Sequence, residues 1–397
     1  QAVSLDKMLS NMNAKVDMAL NIDVPLDEIL ESIRDLTENV DTDVTEEEFR
    51  ETVDTHIFKK ELTEESLGKI EINSDANPYV FAYDKYIAVL SKNKLTEYAS
   101  DGSTVGKFDV NISQPLLDVN KNYFVLAEKK GQRIYLISGS EILWQNTLDG
   151  SISKVSVNKN GYVSVIITDT TYKSVIVVFN PKGTELFRTY ISNSYAICTD
   201  ISNDNEHLAI GEVDYSGTII KSYVRIISIS LAQTDPENYI LNTYESDSGK
   251  IITNIEYNNK DEAVCMFNTY VQKVTKNGNQ RLYDIKDEDL FVDINLKDNI
   301  AIIDKQSSGL FSYEYELMLK STESKTENLY ILNSDVPKTM IIKGELIGLN
   351  FGNEIQIVNK NGWLIKKYTS NKEIKNLVLG NSIAGVVYKN KIEIINL

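Results

Sequence analysis

The sequence predicts an all-β protein, an eight-bladed β-propeller preceded by a small α-helical segment. Three observations carry that prediction. From residue 66 onward, apolar residues alternate with polar ones, and turn residues break the runs roughly every six to ten positions. The pattern then recurs. Residues 122–145, NYFVLAEKKGQRIYLISGSEILWQ, read as three short strands separated by Lys-Lys-Gly and Ser-Gly-Ser turns, and 151–190, 253–285 and 339–368 repeat that order. Finally, the recurrence is periodic. Starting points near 79, 115, 152, 196, 251, 289, 337 and 373 divide residues 66–397 into units of about 41 residues, the length of a four-stranded propeller blade. A seven-bladed ring is the alternative, since the long copy at 195–245 or a merged final pair changes the count by one.

The helical prediction covers an acidic head, residues 1–65. Leu5, Met8, Leu9, Met12, Val16 and Leu20 form one helical stripe behind a Ser4 cap. Pro25 suits a first helical turn leading to Leu26, Ile29, Leu30, Ile33 and Leu36. Thr45 with Glu48 makes a capping box before Phe49, Val53 and Ile57. These apolar faces are expected to pack on one another or on the next domain, or else to serve as a docking arm.

The propeller is predicted to occupy residues 66–397. In five units a Gly precedes the last strand, in Asp101-Gly102, Ser138-Gly139, Lys182-Gly183, Asn277-Gly278 and Asn361-Gly362, as a tight turn with positive φ requires. An aromatic follows each, Phe108, Trp144, Phe187, Tyr283 and Tyr368, and is expected to pack between neighbouring blades. The last unit, 373–397, holds only three strands, and residues 67–72 form the one unassigned alternating run. Pairing of 67–72 with 391–396 would complete that blade and cover an exposed edge.

Composition excludes several classes. Hydrophobic residues make up 42% of the 397, enough for a large core, and no run of 18 apolar residues is present. The net charge is −17, with 18 acidic against 6 basic residues in the head and 40 against 35 in the rest, so neither part offers a basic footprint for nucleic acid. Cys198 and Cys265 are too few for a disulfide framework and read as buried small residues. The chain begins with Gln1, which suggests that an upstream segment, a signal or anchor, was removed.

The stretch Tyr135-Leu136-Ile137-Ser138-Gly139-Ser140-Glu141-Ile142-Leu143-Trp144 resembles a degenerate repeat of the pyrroloquinoline-quinone-type, WD40-like propellers, and Asn180-Pro181-Lys182-Gly183-Thr184-Glu185-Leu186-Phe187 is a weaker match. In outline, residues 66–397 are similar to envelope scaffolds of the BamB type and to membrane-anchored propellers of low-GC Gram-positive bacteria. The resemblance implies an extracytoplasmic interaction scaffold with protein partners in the cell envelope. It implies contact with a membrane only through an upstream anchor. Quinone-dependent members pair a vicinal disulfide with calcium-bound quinone, and no adjacent cysteines occur here, so no cofactor is expected.

Catalytic constellations are not evident. His56 and His207 lie far apart without metal-ligand spacing, and no nucleophile elbow or phosphate-binding loop is present, so neither an enzyme nor a metal site is expected. One series stands out near the end of the first strand of several units: Asp118, Asp200, Glu256 and Asp293. Equivalent positions in a propeller face one axis, so these carboxylates could bind a cation or a basic peptide in the central channel. Equally, each could accept hydrogen bonds from neighbouring turn N–H groups. Two functions therefore stand side by side: a non-catalytic scaffold, or a degenerate enzyme or binding propeller that recognises a glycan or small molecule in the channel.

Overall fold

The structure, a computed structural model, describes residues 61–62, 67–73, 77–307, 313–332 and 335–397. The predicted helices of the head lie outside the described residues. Within them, the only α-helix is one of six residues, Ile229–Thr234, capped by Ser228.

Eight antiparallel sheets form the blades of a ring, with the strand order following the chain. Their first strands are Tyr79–Tyr83, Pro115–Asn120, Ser151–Val157, Tyr195–Ile201, Ile252–Tyr257, Asp289–Asp293, Thr339–Lys343 and Asn376–Leu379, in blades 1 to 8. The eighth blade takes its outermost strand from the start of the propeller. Gly68–Glu71 pairs antiparallel with Lys391–Asn396, Gly68 opposite Ile394 and Glu71 opposite Lys391. A second short strand, Glu61–Leu62, lies parallel to the outermost strand of blade 7, Leu364–Thr369, as a fifth strand there.

Alternation within each strand gives every blade two apolar faces, and both must be covered. Ring closure covers them: eight clusters of buried residues lie one at each interface between neighbouring blades. Trp144 lies between blades 2 and 3, Phe187 between 3 and 4, Tyr283 between 5 and 6, and Tyr368 between 7 and 8, with Phe108 packed on the cluster between blades 1 and 2. Gly183, at φ 78°, sets its Cα over the Trp144 indole, where a Cβ would come within 2.7 Å of the ring. Cys198 and Cys265 are buried free thiols in the cluster between blades 4 and 5.

Buried polar links join the blades as well. Glu97, fully buried, accepts hydrogen bonds from Tyr83 Oη in its own blade and Ser140 Oγ in the next, both at 2.6 Å. Glu393, also fully buried, accepts from Tyr368 Oη of blade 7 and pairs with Lys391.

The antiparallel order gives the ring two distinct faces. The turns after the first and third strands share one, here called the upper face. The hairpins after the second strands and the links between blades share the other, the lower face.

Candidate functional site

The first strands surround the axis, and the upper end of the channel opens into a cavity of about 710 Å³. Asp118, Asp200 and Glu256 line it together, from blades 2, 4 and 5. Asp293 does not line it; its carboxylate turns aside to accept from Asn295 N and Nδ2, both at 2.7 Å.

Two of the three lining carboxylates are held by the following blades. Asp118 accepts from Val119 N at 2.9 Å and from Val157 N of blade 3 at 2.8 Å. Asp200 accepts from Ile201 N at 2.9 Å and Tyr257 N of blade 5 at 2.7 Å, with Ser156 Oγ at 3.3 Å. These two carboxylates therefore fasten neighbouring first strands together, through N–H groups of the strands and not of the turns. For Glu256 the position differs: among the described residues its carboxylate has no hydrogen-bond donor.

Burial pushes the Asp200 carboxyl up to about 7, against the pull of the Tyr257 N–H and with the help of the Asp118 charge. Glu256 is held well above the ordinary glutamate range by burial, then by Asp200 and Asp118. Asp293 is raised by burial, opposed by its bonds from Asn295.

Lysines complete the cavity, and sequence reasoning missed them. Lys343, at the end of the first strand of blade 7, reaches past blades 8 and 1 to donate to the Val119 carbonyl of blade 2. Burial pulls its ammonium below the usual lysine range, while Asp118 and Glu256 draw it back up. Lys121 and Lys297, in the upper turns of blades 2 and 6, line the mouth above it. A repeat search favours positions shared between copies, and Lys343 sits before a Gly344-Glu345 turn unlike those of blades 2 to 6.

Around the mouth, asparagines tie the upper turns into a belt. Asn158 Nδ2 donates to Ser202 O at 2.9 Å and Asn205 Oδ1 at 2.7 Å, joining blades 3 and 4. Asn203 Nδ2 donates to Asn258 O at 2.8 Å, and Asn259 N to Asp298 Oδ1 at 2.8 Å. Lys297 N donates to Gly344 O at 3.0 Å. Asp204, Glu206 and His207 bring potential metal-ligating atoms within 4.8 Å of one another in the blade 4 turn. Asp204 Oδ1 already accepts from Ser202 Oγ at 2.5 Å and Glu206 N at 2.9 Å, and His207 Nδ1 is too enclosed for water to touch.

The lower face has a different chemistry. On blades 3 and 4, Tyr172 and Tyr190 pair at 4.8 Å, and Tyr195 and Tyr215 stack at 5.0 Å with planes 9° apart. Between the pairs, Lys173 Nζ donates to Asn193 O at 2.8 Å and lies 5.1 and 5.9 Å from the centroids of Tyr195 and Tyr215. Tyr190, Tyr215 and Ile219 are 52, 58 and 56% exposed.

An eight-bladed ring of four-stranded repeats defines a protein of the β-propeller class. Residues 59–397 match a family described as "Family of unknown function (DUF5711)", and the chain belongs to that family. No curated protein matches it in sequence. Among solved structures it is similar to the C-terminal WD40 domain of Sif2, at 14% identity and TM-score 0.54 over 83% of this chain and 98% of that one. It is similar to Sqt1 of Chaetomium thermophilum, at 9% identity and TM-score 0.52 over 84% and 98%. BamB from Moraxella catarrhalis gives 10% identity and TM-score 0.46 over 83% and 96%. At such identities the likeness is one of fold.

Proposed function

We propose that this protein is a non-catalytic interaction scaffold that docks a protein partner on its lower face. The observation that carries this reading is the tyrosine–isoleucine platform of blades 3 and 4. Exposed tyrosines with few rotatable bonds, already held in pairs, offer a large contact area at small entropic cost, which is why such residues dominate binding energy at protein interfaces. Contiguous exposed apolar surface of this kind marks interaction sites. The repeats' resemblance to envelope propellers supports placing the partner in the bacterial cell envelope, with the chain extracytoplasmic and anchored upstream.

The test is site-specific. A photo-crosslinker replacing Ile219 should capture one discrete protein in the native cell, and Tyr190→Ser should abolish that capture. A crosslinker replacing Lys92, on a hairpin of blade 1, should not capture it. Equal capture from both positions, or capture indifferent to Tyr190→Ser, sinks the reading. Fractionation of the tagged chain tests the envelope placement, which a purely cytosolic distribution overturns.

The channel favours a second reading, binding of a small ligand, because a 710 Å³ cavity with three carboxylates is roomy enough for one. In it, Asp118, Asp200 and Glu256 would hold a cationic group in competition with the Lys343 ammonium, with Asp293 at the periphery. Calorimetric titration with calcium and with a lysine-rich peptide tests this. Binding weakened by Glu256→Gln supports it, and no heat with either probe rejects it.

A further inference from the structure

The lower end of blade 6 lines up carboxylates across three strands. Its second and third strands, Asn299–Ser307 and Tyr313–Ser321, form a longer hairpin than those of blades 5 and 7. The register sets Asp289 of the first strand opposite Asp304 of the second, and Asp304 opposite Glu316 of the third. Residues directly opposite in antiparallel strands share one face, with Cβ atoms about 4.5–5.5 Å apart, and like charges placed so are destabilising. Glu314, two residues before Glu316, adds a fourth carboxylate on that face.

Two of these groups present a bare oxygen. Asp289 Oδ2 accepts from Tyr283 Oη of blade 5 and from Lys286 N, both at 2.8 Å. Asp304 Oδ2 accepts from Gln306 Nε2 at 2.6 Å. Asp289 Oδ1 and Asp304 Oδ1, one on each of the facing carboxylates, are enclosed and have no hydrogen-bond partner among the described residues. Asp304 is only 6% exposed. A carboxylate buried in this way is costly unless a positive charge meets it. Lys305 does not, since it falls on the opposite face and lies over the Tyr313 ring, 3.5 Å from its centroid. Burial raises the Asp304 carboxyl, against the bond from Gln306 and with the help of the Asp289 charge, and the Lys286 charge only partly opposes this. Glu316 is raised by burial, then by Asp304 and Glu314.

A proton shared between Asp289 and Asp304 would answer that pair alone. Carboxylates drawn from three strands, with half-buried Glu316 and exposed Glu314 on the solvent side, instead form the oxygen-only set that a hard divalent cation takes. We propose that the lower end of blade 6 binds a calcium ion between Asp289, Asp304 and Glu316, with water completing its shell. The ion then ties the long hairpin to the first strand of its blade and, through Tyr283 Oη on Asp289, to blade 5. This inference rests on neither reading above, since it concerns residues of neither the platform nor the channel.

Calorimetric titration of calcium into the EDTA-stripped full chain tests it. The titration runs to about 10 mM, past the range of about 10⁻⁴–10⁻³ M in which extracellular calcium modules fill. Asp304→Asn, which keeps the shape and removes the charge, should weaken binding at least about tenfold, and Glu316→Gln should weaken it less. Glu256→Gln, in the channel, should leave this binding unchanged. Terbium in place of calcium gives a local readout: Tyr283 is bonded to Asp289, so excitation of tyrosine should sensitise terbium emission, and Asp304→Asn should remove it. Circular dichroism checks that each variant folds, and Glu316→Gln carries the test if Asp304→Asn does not. The proposal is overturned if neither ion binds, if both variants bind as wild type does, or if binding falls with Glu256→Gln instead, which assigns the ion to the channel. A wild type indifferent to calcium and stabilised by Asp304→Asn overturns it in favour of the shared proton.

Discussion

The two faces of the ring are built from the same repeat and have opposite characters. Upper turns sit close to the axis, where neighbouring blades nearly touch, and their exposed backbone groups need partners. Asparagine answers this need from both ends of its amide, as when Asn158 donates to Ser202 O and Asn205 Oδ1 and accepts from Asn160 N and Tyr162 N. The lower hairpins of blades 3 and 4 instead project tyrosine and isoleucine into solvent. One face is consumed in holding the ring together, and the other is left for contact. A substitution on the upper face should therefore affect stability first, and one on the lower face binding first.

The largest effect is expected at the seam. Gly68 passes so close to blade 1 that an added Cβ would lie 2.3 Å from the Ser100 carbonyl oxygen, an unyielding backbone atom. Gly68→Val should push Gly68–Glu71 off the eighth blade, expose Ile70 and the apolar edge of Lys391–Asn396, and cost about 3 kcal/mol or more. Urea denaturation measures this directly. Unchanged stability would mean that the strand is not what closes the ring.

Next comes the belt. Asn158 is 1% exposed and makes four hydrogen bonds, so Asn158→Ala leaves several buried groups unpaired and should cost on the order of 2 kcal/mol. Thermal melting monitored by circular dichroism reads the loss. A change no larger than that of an exposed turn residue would show that water replaces the amide.

The Asp200 carboxylate gives a smaller, pH-dependent effect. It takes up its proton near pH 7 in the fold and near the ordinary 3.8 when unfolded, so between these values the folded state binds more protons. Stability from this group is greatest below about pH 4 and is lost as pH rises through about 7. Asp200→Asn removes the titration and should gain on wild type as pH rises, by on the order of 2–3 kcal/mol between pH 5 and pH 8. Asp101, Glu128 and Asp149 are shifted down and act in the opposite sense at acid pH, but they are common to both proteins and cancel in the difference. A difference that stays flat from pH 5 to pH 8 refutes the raised value.

The blades were readable from the chain because turn glycines, first strands and interface aromatics recur with one period, and each is a local requirement. The channel was readable only in part. Asp118, Asp200 and Glu256 share a local position and do meet, but what they do depends on partners 39 and 57 residues away, Val157 and Tyr257. Asp293 shares the position, and its neighbour Asn295 captures it. Lys343 and the mouth lysines look like ordinary turn charges until the ring closes and brings distant blades together. The platform was invisible for the same reason: Tyr172, Tyr190, Tyr195 and Tyr215 belong to two blades, and each reads as one more strand-end aromatic.

The smallest effect on stability, and the sharpest separation of the faces, is expected from the double change Tyr190→Ser and Tyr215→Ser. Both rings are more than half exposed, so little apolar area returns to water on unfolding, and each loses one aromatic neighbour, Tyr172 or Tyr195, with Tyr215 also losing the Lys173 ammonium 5.9 Å from its ring. An exposed aromatic pair contributes at most about 1 kcal/mol, and surface substitutions elsewhere stay within about 0.5. The double variant should therefore denature within about 1 kcal/mol of wild type, and its titration around Asp200 should not move. Capture of the partner at Ile219 should nevertheless fall at least tenfold, since the changes remove the preformed contact area on which docking depends. If the partner survives the double change while Asn158→Ala abolishes its capture in a still-folded protein, the roles of the two faces are reversed, and the upper mouth is the docking surface.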